Sequence, residues 1–200
     1  MIEVEKKFRI SKSKEQNLAK GAKFIGEFSF SDTYYDKSSY PLAKKDIWLR
    51  SRDGKWQLKI GEDDSGSETK KFMDYYEEVV TEGGIRKILG IEHYDSLAND
   101  LGREGYAPIA TFTTVRRKYT KGSFSIDVDE ASFGYDVVEV ECFAKDRGQI
   151  EKISEELIEF AKEHELDLKE VHGKVVEYIK QHDPENYTSL QDAWKAAGIH

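Results

Sequence analysis

A single cysteine, Cys142, excludes any disulfide within the chain and fits a reducing compartment. It lies in Val138-x-Val140-x-Cys142, where a small buried core residue is expected. No apolar run approaches the roughly 18 residues of a membrane span, and nothing at the N-terminus resembles a signal peptide. The expectations are a cytoplasmic location and no membrane partner. A basic excess is also missing. The 31 Lys and Arg against 39 Asp and Glu leave a net charge of -8, which argues against broad nucleic-acid binding. No Ser/His/Asp or Cys/His set is evident. His93, His164, His172, His182 and His200 lie in or near helical patterns or in the tail, without metal-ligand spacing. With no internal repeat or low-complexity tract, the 200 residues suit one domain, 1–200, with a helical C-terminal segment from about 146 and a monomeric state.

What the chain has in plenty is charge, 35% of its residues, and the question is where those charges sit. Strand-like runs are expected at 2–9, 30–35, 45–52, 55–60, 71–80, 111–119, 123–129 and 135–143. Asp53-Gly54 and Lys121-Gly122 supply hairpin turns. The polar stretch Gly61–Ser67 reads as a loop between strands. Helical patterns fall at 12–20, 82–88, 92–102 and 146–164, and a tail helix over 171–196 is broken near Asp183-Pro184. Strands in hairpins with helices inserted and appended give an α+β class.

Side chains alternate faces along a strand, so Glu3, Glu5 and Lys7 share one face while Ile2, Val4 and Phe8 share the other, with Lys6 discordant. The same split recurs. Trp48, Arg50 and Arg52 oppose Ile47 and Leu49, and Lys55, Gln57 and Lys59 oppose Trp56, Leu58 and Ile60. Tyr76 and Glu78 share a face, as do Thr114, Arg116 and Lys118. Asp127 and Asp129 oppose Ile126 and Val128, and Glu139 and Glu141 oppose Val138, Val140 and Cys142. One reading is a half-solvated sheet with cross-strand ion pairs. The other is a closed eight-stranded antiparallel β-barrel turned chemically inside out, its apolar faces packed against surrounding helices and its charged faces lining a tunnel. Acidic pairs would there offer hard oxygens to Mg²⁺ or Mn²⁺, and Arg and Lys would hold phosphate oxygens.

At these residues the chain resembles the CYTH, or triphosphate tunnel metalloenzyme, superfamily. The matching pieces are Glu3-x-Glu5-x-Lys7, Arg50-x-Arg52, Lys59, Glu78, Arg116, Asp127-x-Asp129, Glu139-x-Glu141 and Lys174, in that order along nearly the whole chain. Within the superfamily it is most similar to the animal-type thiamine triphosphatases, through Asp32-Thr-Tyr-Tyr-Asp36, Ile47-Trp-Leu-Arg-Ser-Arg52, Phe133–Glu141 and Gly173–Tyr178. The resemblance implies Mg²⁺-dependent hydrolysis of thiamine triphosphate to the diphosphate and phosphate, a small-molecule partner. It assigns Lys7, Arg50, Arg52, Lys59, Arg116 and Lys174 to the triphosphate. It divides Glu3, Glu5, Asp127, Asp129, Glu139 and Glu141 between metal ligation and ordering of the attacking water. It also implies a Tyr34–Lys59 acid/base pair. Trp48, in phase with Arg50 and Arg52, is placed to meet the cationic thiazolium, and Tyr76, in phase with Glu78, to form a second aromatic wall. An inorganic triphosphatase, an adenylate cyclase of the same fold and a non-catalytic polyphosphate-binding module are the alternatives.

Overall fold

The computed structural model describes residues 2–61 and 73–199. Its strands are β1 (Ile2–Phe8), β2 (Lys23–Asp36), β3 (Ile47–Arg52), β4 (Lys55–Gly61), β5 (Asp74–Val79), β6 (Ala107–Lys121), β7 (Phe124–Ala131) and β8 (Tyr135–Ala144). The helices are α1 (Lys12–Ala19), α2 (Glu82–Leu89), α3 (Leu97–Arg103), α4 (Ile150–Glu163), α5 (Lys174–His182) and α6 (Pro184–Ala197). The strands hydrogen-bond in the order β1-β5-β4-β3-β2-β6-β7-β8, and this antiparallel sheet closes on itself. Among the described residues no helix is long and apolar enough to cross a membrane.

The chain falls into two compact units. The first comprises residues 1–30, 62–77 and 113–174, of which 2–30, 73–77 and 113–174 are described. In it the apolar strand faces expected from alternation (Ile2, Val4, Phe8, Ile126, Val128, Val138, Val140) pack with Leu157, Phe160 and Ala161 of α4 and Leu18 of α1. The expected inversion is present here, with apolar side chains toward the helices and charged ones on the opposite face. Lys6, out of pattern in the sequence, is buried, and that burial lowers its pKa despite the nearby carboxylate of Asp74. Cys142 is half-buried against this core.

The second unit comprises residues 31–61, 78–112 and 175–200, described through 199. Leu49 and Leu58, facing pair partners of the β3–β4 hairpin, meet Ile85, Leu97 and Leu101 from α2 and α3. Full burial of such a leucine contributes about 1.5–3 kcal/mol. The hairpin turns at Asp53 and Gly54, both at positive φ (47° and 81°), the geometry that makes Asp-Gly a strong turn signal. Asp183 caps α6 by accepting from Asn186 N–H, with Pro184 in the first turn, so the tail breaks where expected.

Several boundaries differ from expectation: β6 runs over 107–121 rather than 111–119, β3 starts at 47 after a 3-10 turn over Ala43–Lys45, and the tail helix starts at 174 rather than 171. Strand β2 begins at Lys23, not near 30; Lys23–Ser29 is exposed at every residue but Gly26, which interrupts the alternation of Phe24, Phe28 and Phe30. Helix α3 begins at Leu97 rather than 92. The Arg86 guanidinium donates to the carbonyls of Glu92 and Asp95, the Asp100 carboxylate accepts from the N–H groups of Tyr94 and Asp95, and Ser96 then caps the helix. The helix expected over 146–164 starts with a 3-10 turn over Arg147–Gln149. Residues 62–67 of the expected loop and 71–72 of the expected fifth strand lie outside the described residues.

Candidate active site

In the first unit, strand register assembles the charged face row by row. Asp74 and Glu141 flank Glu5 as its pair partners, and Ser125 pairs with Glu141. Lys7 pairs with Glu139, Glu139 with Asp127, and Asp127 with Lys118; Arg116 faces Asp129. Lys174, the last residue of this unit, reaches into the same face. Its Nζ donates to Asp129 Oδ2 and, at 2.7 Å, to Glu139 Oε1. Arg116 donates through Nε and Nη2 to both oxygens of Asp129 (2.6 Å each), through Nη2 to Glu139 (2.8 Å), and through Nη1 to Asp127. Lys7 donates to Glu5 (2.6 Å) and Asp74 (2.7 Å), its ammonium 5.8 Å from the centre of the Tyr76 ring. Except for Asp74, Arg116 and Lys118, these charged residues are buried.

Burial opposes every one of these charges, so their pKa directions show which are compensated. For Lys7 the carboxylates of Asp74 and Glu5 outweigh burial and raise the pKa well above the ordinary lysine value. Asp129, Glu139 and Asp127 do the same for Arg116, and Glu139 and Asp129 for Lys174. Glu139 is pulled well below the usual carboxylate range because Lys174, Arg116 and Lys7 together exceed its burial penalty. Glu141 goes the other way, raised first by burial and then by the carboxylate of Glu3. Asp127 is raised by burial, with Glu141 adding to it against Arg116 and Lys118.

Glu3, Glu5 and Glu141 each bring one oxygen within 4.8 Å of the others, three buried hard donors converging on one point. Three buried polar atoms of this face accept or donate no hydrogen bond: Thr114 Oγ1, Ser125 Oγ and Asp127 Oδ1. Lys118 Nζ lies 3.1 Å from that Asp127 oxygen but off the hydrogen-bonding direction. The raised carboxyl of Glu141 beside that of Glu3, and the unsatisfied Ser125 hydroxyl in register with Glu141, fit a divalent cation held by Glu3, Glu5 and Glu141.

The second unit holds the other expected residues. Asp32, fully buried, accepts a two-pronged bond from Arg52 (2.8 and 2.9 Å) across a direct strand pair. Arg50 donates to Gln57 (2.7 Å) and to the Tyr34 hydroxyl (3.3 Å), with Glu78 at 3.7 Å. Burial would lower its pKa, and Tyr34, Asp32 and Glu78 more than reverse that. The register sets Tyr34 opposite Arg50 and Lys59 opposite Trp48, so Tyr34 and Lys59 stand on strands separated by β3. Trp48 meets the rings of Tyr34 (6.5 Å) and Trp194 (6.3 Å) edge-on, and Tyr34 stacks on Phe112 (5.9 Å). The Trp48 indole donates to Asp46 Oδ1 at 2.8 Å, and the Trp194 indole to Ala43 O at 2.9 Å.

The structure thus joins Glu3, Glu5, Lys7, Arg116, Asp127, Asp129, Glu139, Glu141 and Lys174 in one network, with Tyr76 beside it. Tyr34, Trp48, Arg50, Arg52 and Glu78 form a second set, and Lys59 is placed by its pairing with Trp48. Sequence reading left out Asp74, which one more step of the Tyr76–Glu78 alternation reaches, and Asp32, Asp46 and Trp194, which carry no charge pattern of their own. Lys118 was in phase but given no role.

A family model described as the CYTH domain matches residues 1–183. The thiamine-triphosphatase of Homo sapiens is 27% identical over 207 residues, spanning 95% of this chain and 89% of that protein. Among solved structures, a Pyrococcus horikoshii protein superposes with a TM-score of 0.68 at 20% identity, covering 90% of this chain and 99% of that one. A Hippeastrum adenylyl cyclase candidate with a dominant triphosphatase activity superposes with a TM-score of 0.55 at 18% identity, covering 87% and 94%. At those identities the two structures establish a shared fold.

Proposed function

The chain belongs to the CYTH domain family, and from that premise we propose that it hydrolyses thiamine triphosphate to thiamine diphosphate and phosphate with Mg²⁺ or Mn²⁺. The observation that carries this reading is the buried network of the first unit. Cations able to hold phosphate oxygens alternate with carboxylates, and three converging glutamates can hold a metal. The relative named thiamine-triphosphatase supports the substrate, and the triphosphatase activity of the Hippeastrum protein supports hydrolysis over cyclisation.

Phosphoryl transfer asks chiefly for positioning and for stabilisation of the charge on the transferring group. Lys7, Arg116 and Lys174, with Arg50, Arg52 and Lys59, are assigned to the triphosphate oxygens. Arg116 and Arg52 are held rigidly by two-pronged carboxylate bonds, which fixes the direction of their remaining N–H groups. Glu3, Glu5 and Glu141 would hold the cation, which when bound supplies charge neutralisation and a more acidic water. Glu139, kept ionised by Lys174 and Arg116, is assigned with Asp127 and Asp129 to accept from and orient the attacking water. Tyr34, whose phenol accepts from Arg50, and Lys59 are assigned the proton transfers. Trp48 is assigned to the thiazolium, and Tyr76 and Glu78 are assigned to the substrate.

The test is kcat/KM for phosphate release from thiamine triphosphate, inorganic triphosphate and ATP in Mg²⁺. Thiamine triphosphate should rank first. Trp48→Ala should lower that value about tenfold, within the range of a lost cation–π contact, and leave inorganic triphosphate unchanged. Preference for inorganic triphosphate with a silent Trp48→Ala would replace the substrate. Cyclic AMP formed from ATP would replace the reaction, and binding without turnover would remove the enzyme.

A further inference from the structure

Among the described residues, Lys118 is the one cation of the first unit's network that sequence matching gives no role, and its geometry differs from that of its neighbours. Its ammonium lies between Asp127, at 3.1 Å, and Oε1 of Glu141, at 3.3 Å. Glu141 belongs to the trio that converges on a metal position. Lys174 and Lys7 are enclosed, with side chains 5% and 9% exposed, and they bond at 2.7 Å or less. Lys118 is 31% exposed and makes only long contacts, one of them off the hydrogen-bonding direction. Arg116 is held by three carboxylates at once. In strand register with Glu141, the Ser125 hydroxyl is buried without a partner, so this row contains a polar atom with bonding capacity to spare.

We propose that Lys118 is a tethered counter-cation that neutralises Glu141 when no metal is bound and passes to the phosphate oxygens of a polyphosphate once a divalent cation takes that carboxylate. The proposal rests on the metal reading above. Among the described residues the network holds seven carboxyls (Glu3, Glu5, Asp74, Asp127, Asp129, Glu139, Glu141) against four cations (Lys7, Arg116, Lys118, Lys174). Without metal that face is negative and repels a polyanion. A divalent cation at Glu141 takes one of the two carboxylate charges that hold Lys118, leaving only Asp127, and repels its ammonium. A lysine, a compact charge on a flexible four-carbon stem, can then swing to a new anion, which the multiply bonded Arg116 cannot do without breaking its own carboxylate contacts. Metal loading would in this way both reduce the excess of negative charge on that face and release a phosphate-binding group.

The test is calorimetric titration of the full chain with Mn²⁺ alone, then with pyrophosphate at saturating Mn²⁺, for wild type, Lys118→Met and Lys118→Arg. Lys118→Met should bind Mn²⁺ roughly tenfold tighter than wild type, on the scale of one removed charge beside a ligand, and pyrophosphate roughly tenfold more weakly. Lys118→Arg should stay close to wild type in the first titration. A purely structural role would weaken both, so the opposite signs are the signature. Lys118→Gln gives the same readout if the methionine variant fails to fold. Wild type that takes up Mn²⁺, with no tightening in Lys118→Met or with pyrophosphate binding unchanged, would overturn the hand-over while leaving the metal site standing. Wild type that takes up no Mn²⁺ would remove the metal reading and this proposal together.

Discussion

Glu139 and Glu141 lie two residues apart on β8, and their carboxyls are shifted in opposite directions. Glu139 sits among Lys174, Arg116 and Lys7; Glu141 sits beside Glu3. A depressed carboxylate contributes stability that is present above its unfolded value and is lost as pH falls through the folded one. A raised carboxyl has the reverse effect, costing stability at neutral pH until it is protonated. Glu139→Gln should therefore cost about 3 kcal/mol in urea unfolding at neutral pH, the scale of breaking a buried ion pair. Glu141→Gln should be neutral or stabilising there, and its advantage should vanish as pH is lowered into the range where Glu141 takes up its proton. Equal losses in both variants would contradict the assigned environments. Alternation along β8 was enough to select both residues from the sequence. Their opposite behaviour was not legible, because it comes from Lys174, 33 to 35 positions away, and from the pairing of β8 with β1.

At the scale of elements, the β3–β4 hairpin and the turn before it show how packing prepares the aromatic residues. Asp46 takes a left-handed conformation (φ 56°), accepts from the Gly61 N–H with its backbone carbonyl, and accepts from the Trp48 indole with its carboxylate. A side-chain carbon at Gly61 would fall 2.1 Å from Asp46 Oδ2, so only glycine leaves that carboxylate in place. Gly61→Ala should release Trp48, seen as a shift in tryptophan fluorescence. It should also raise KM for thiamine triphosphate several-fold with little change for inorganic triphosphate. Unchanged fluorescence and KM would show that Asp46 does not position Trp48. The hairpin itself was readable from Asp53-Gly54 flanked by alternating strands. The Asp46 arrangement was not, since it depends on two strand ends meeting. Nor was the late start of α3, where one buried arginine claims the backbone that would have formed the first turn.

For the whole molecule, eight strands and one-sided charge followed from period-two patterns, and the inserted helices from helical periodicity. The ring order did not, because its closure needs the β1–β5 and β1–β8 pairs between segments far apart in sequence. A face with more carboxyls than cations should gain stability from its metal by mass action, about 2.7 kcal/mol at a hundredfold excess over Kd. Millimolar Mg²⁺ or Mn²⁺ should thus raise the unfolding temperature of wild type by several degrees and that of Glu141→Gln far less. No shift in wild type would count against a metal in this face. The most direct measurement is phosphate release from thiamine triphosphate at saturating Mg²⁺ by wild type and Glu141→Gln, with the urea midpoint of each recorded alongside. The expected result is a loss of turnover of at least about a hundredfold in a variant as stable as wild type or more so. Equal turnover by the two proteins would contradict the assignment of this charged face as the catalytic site.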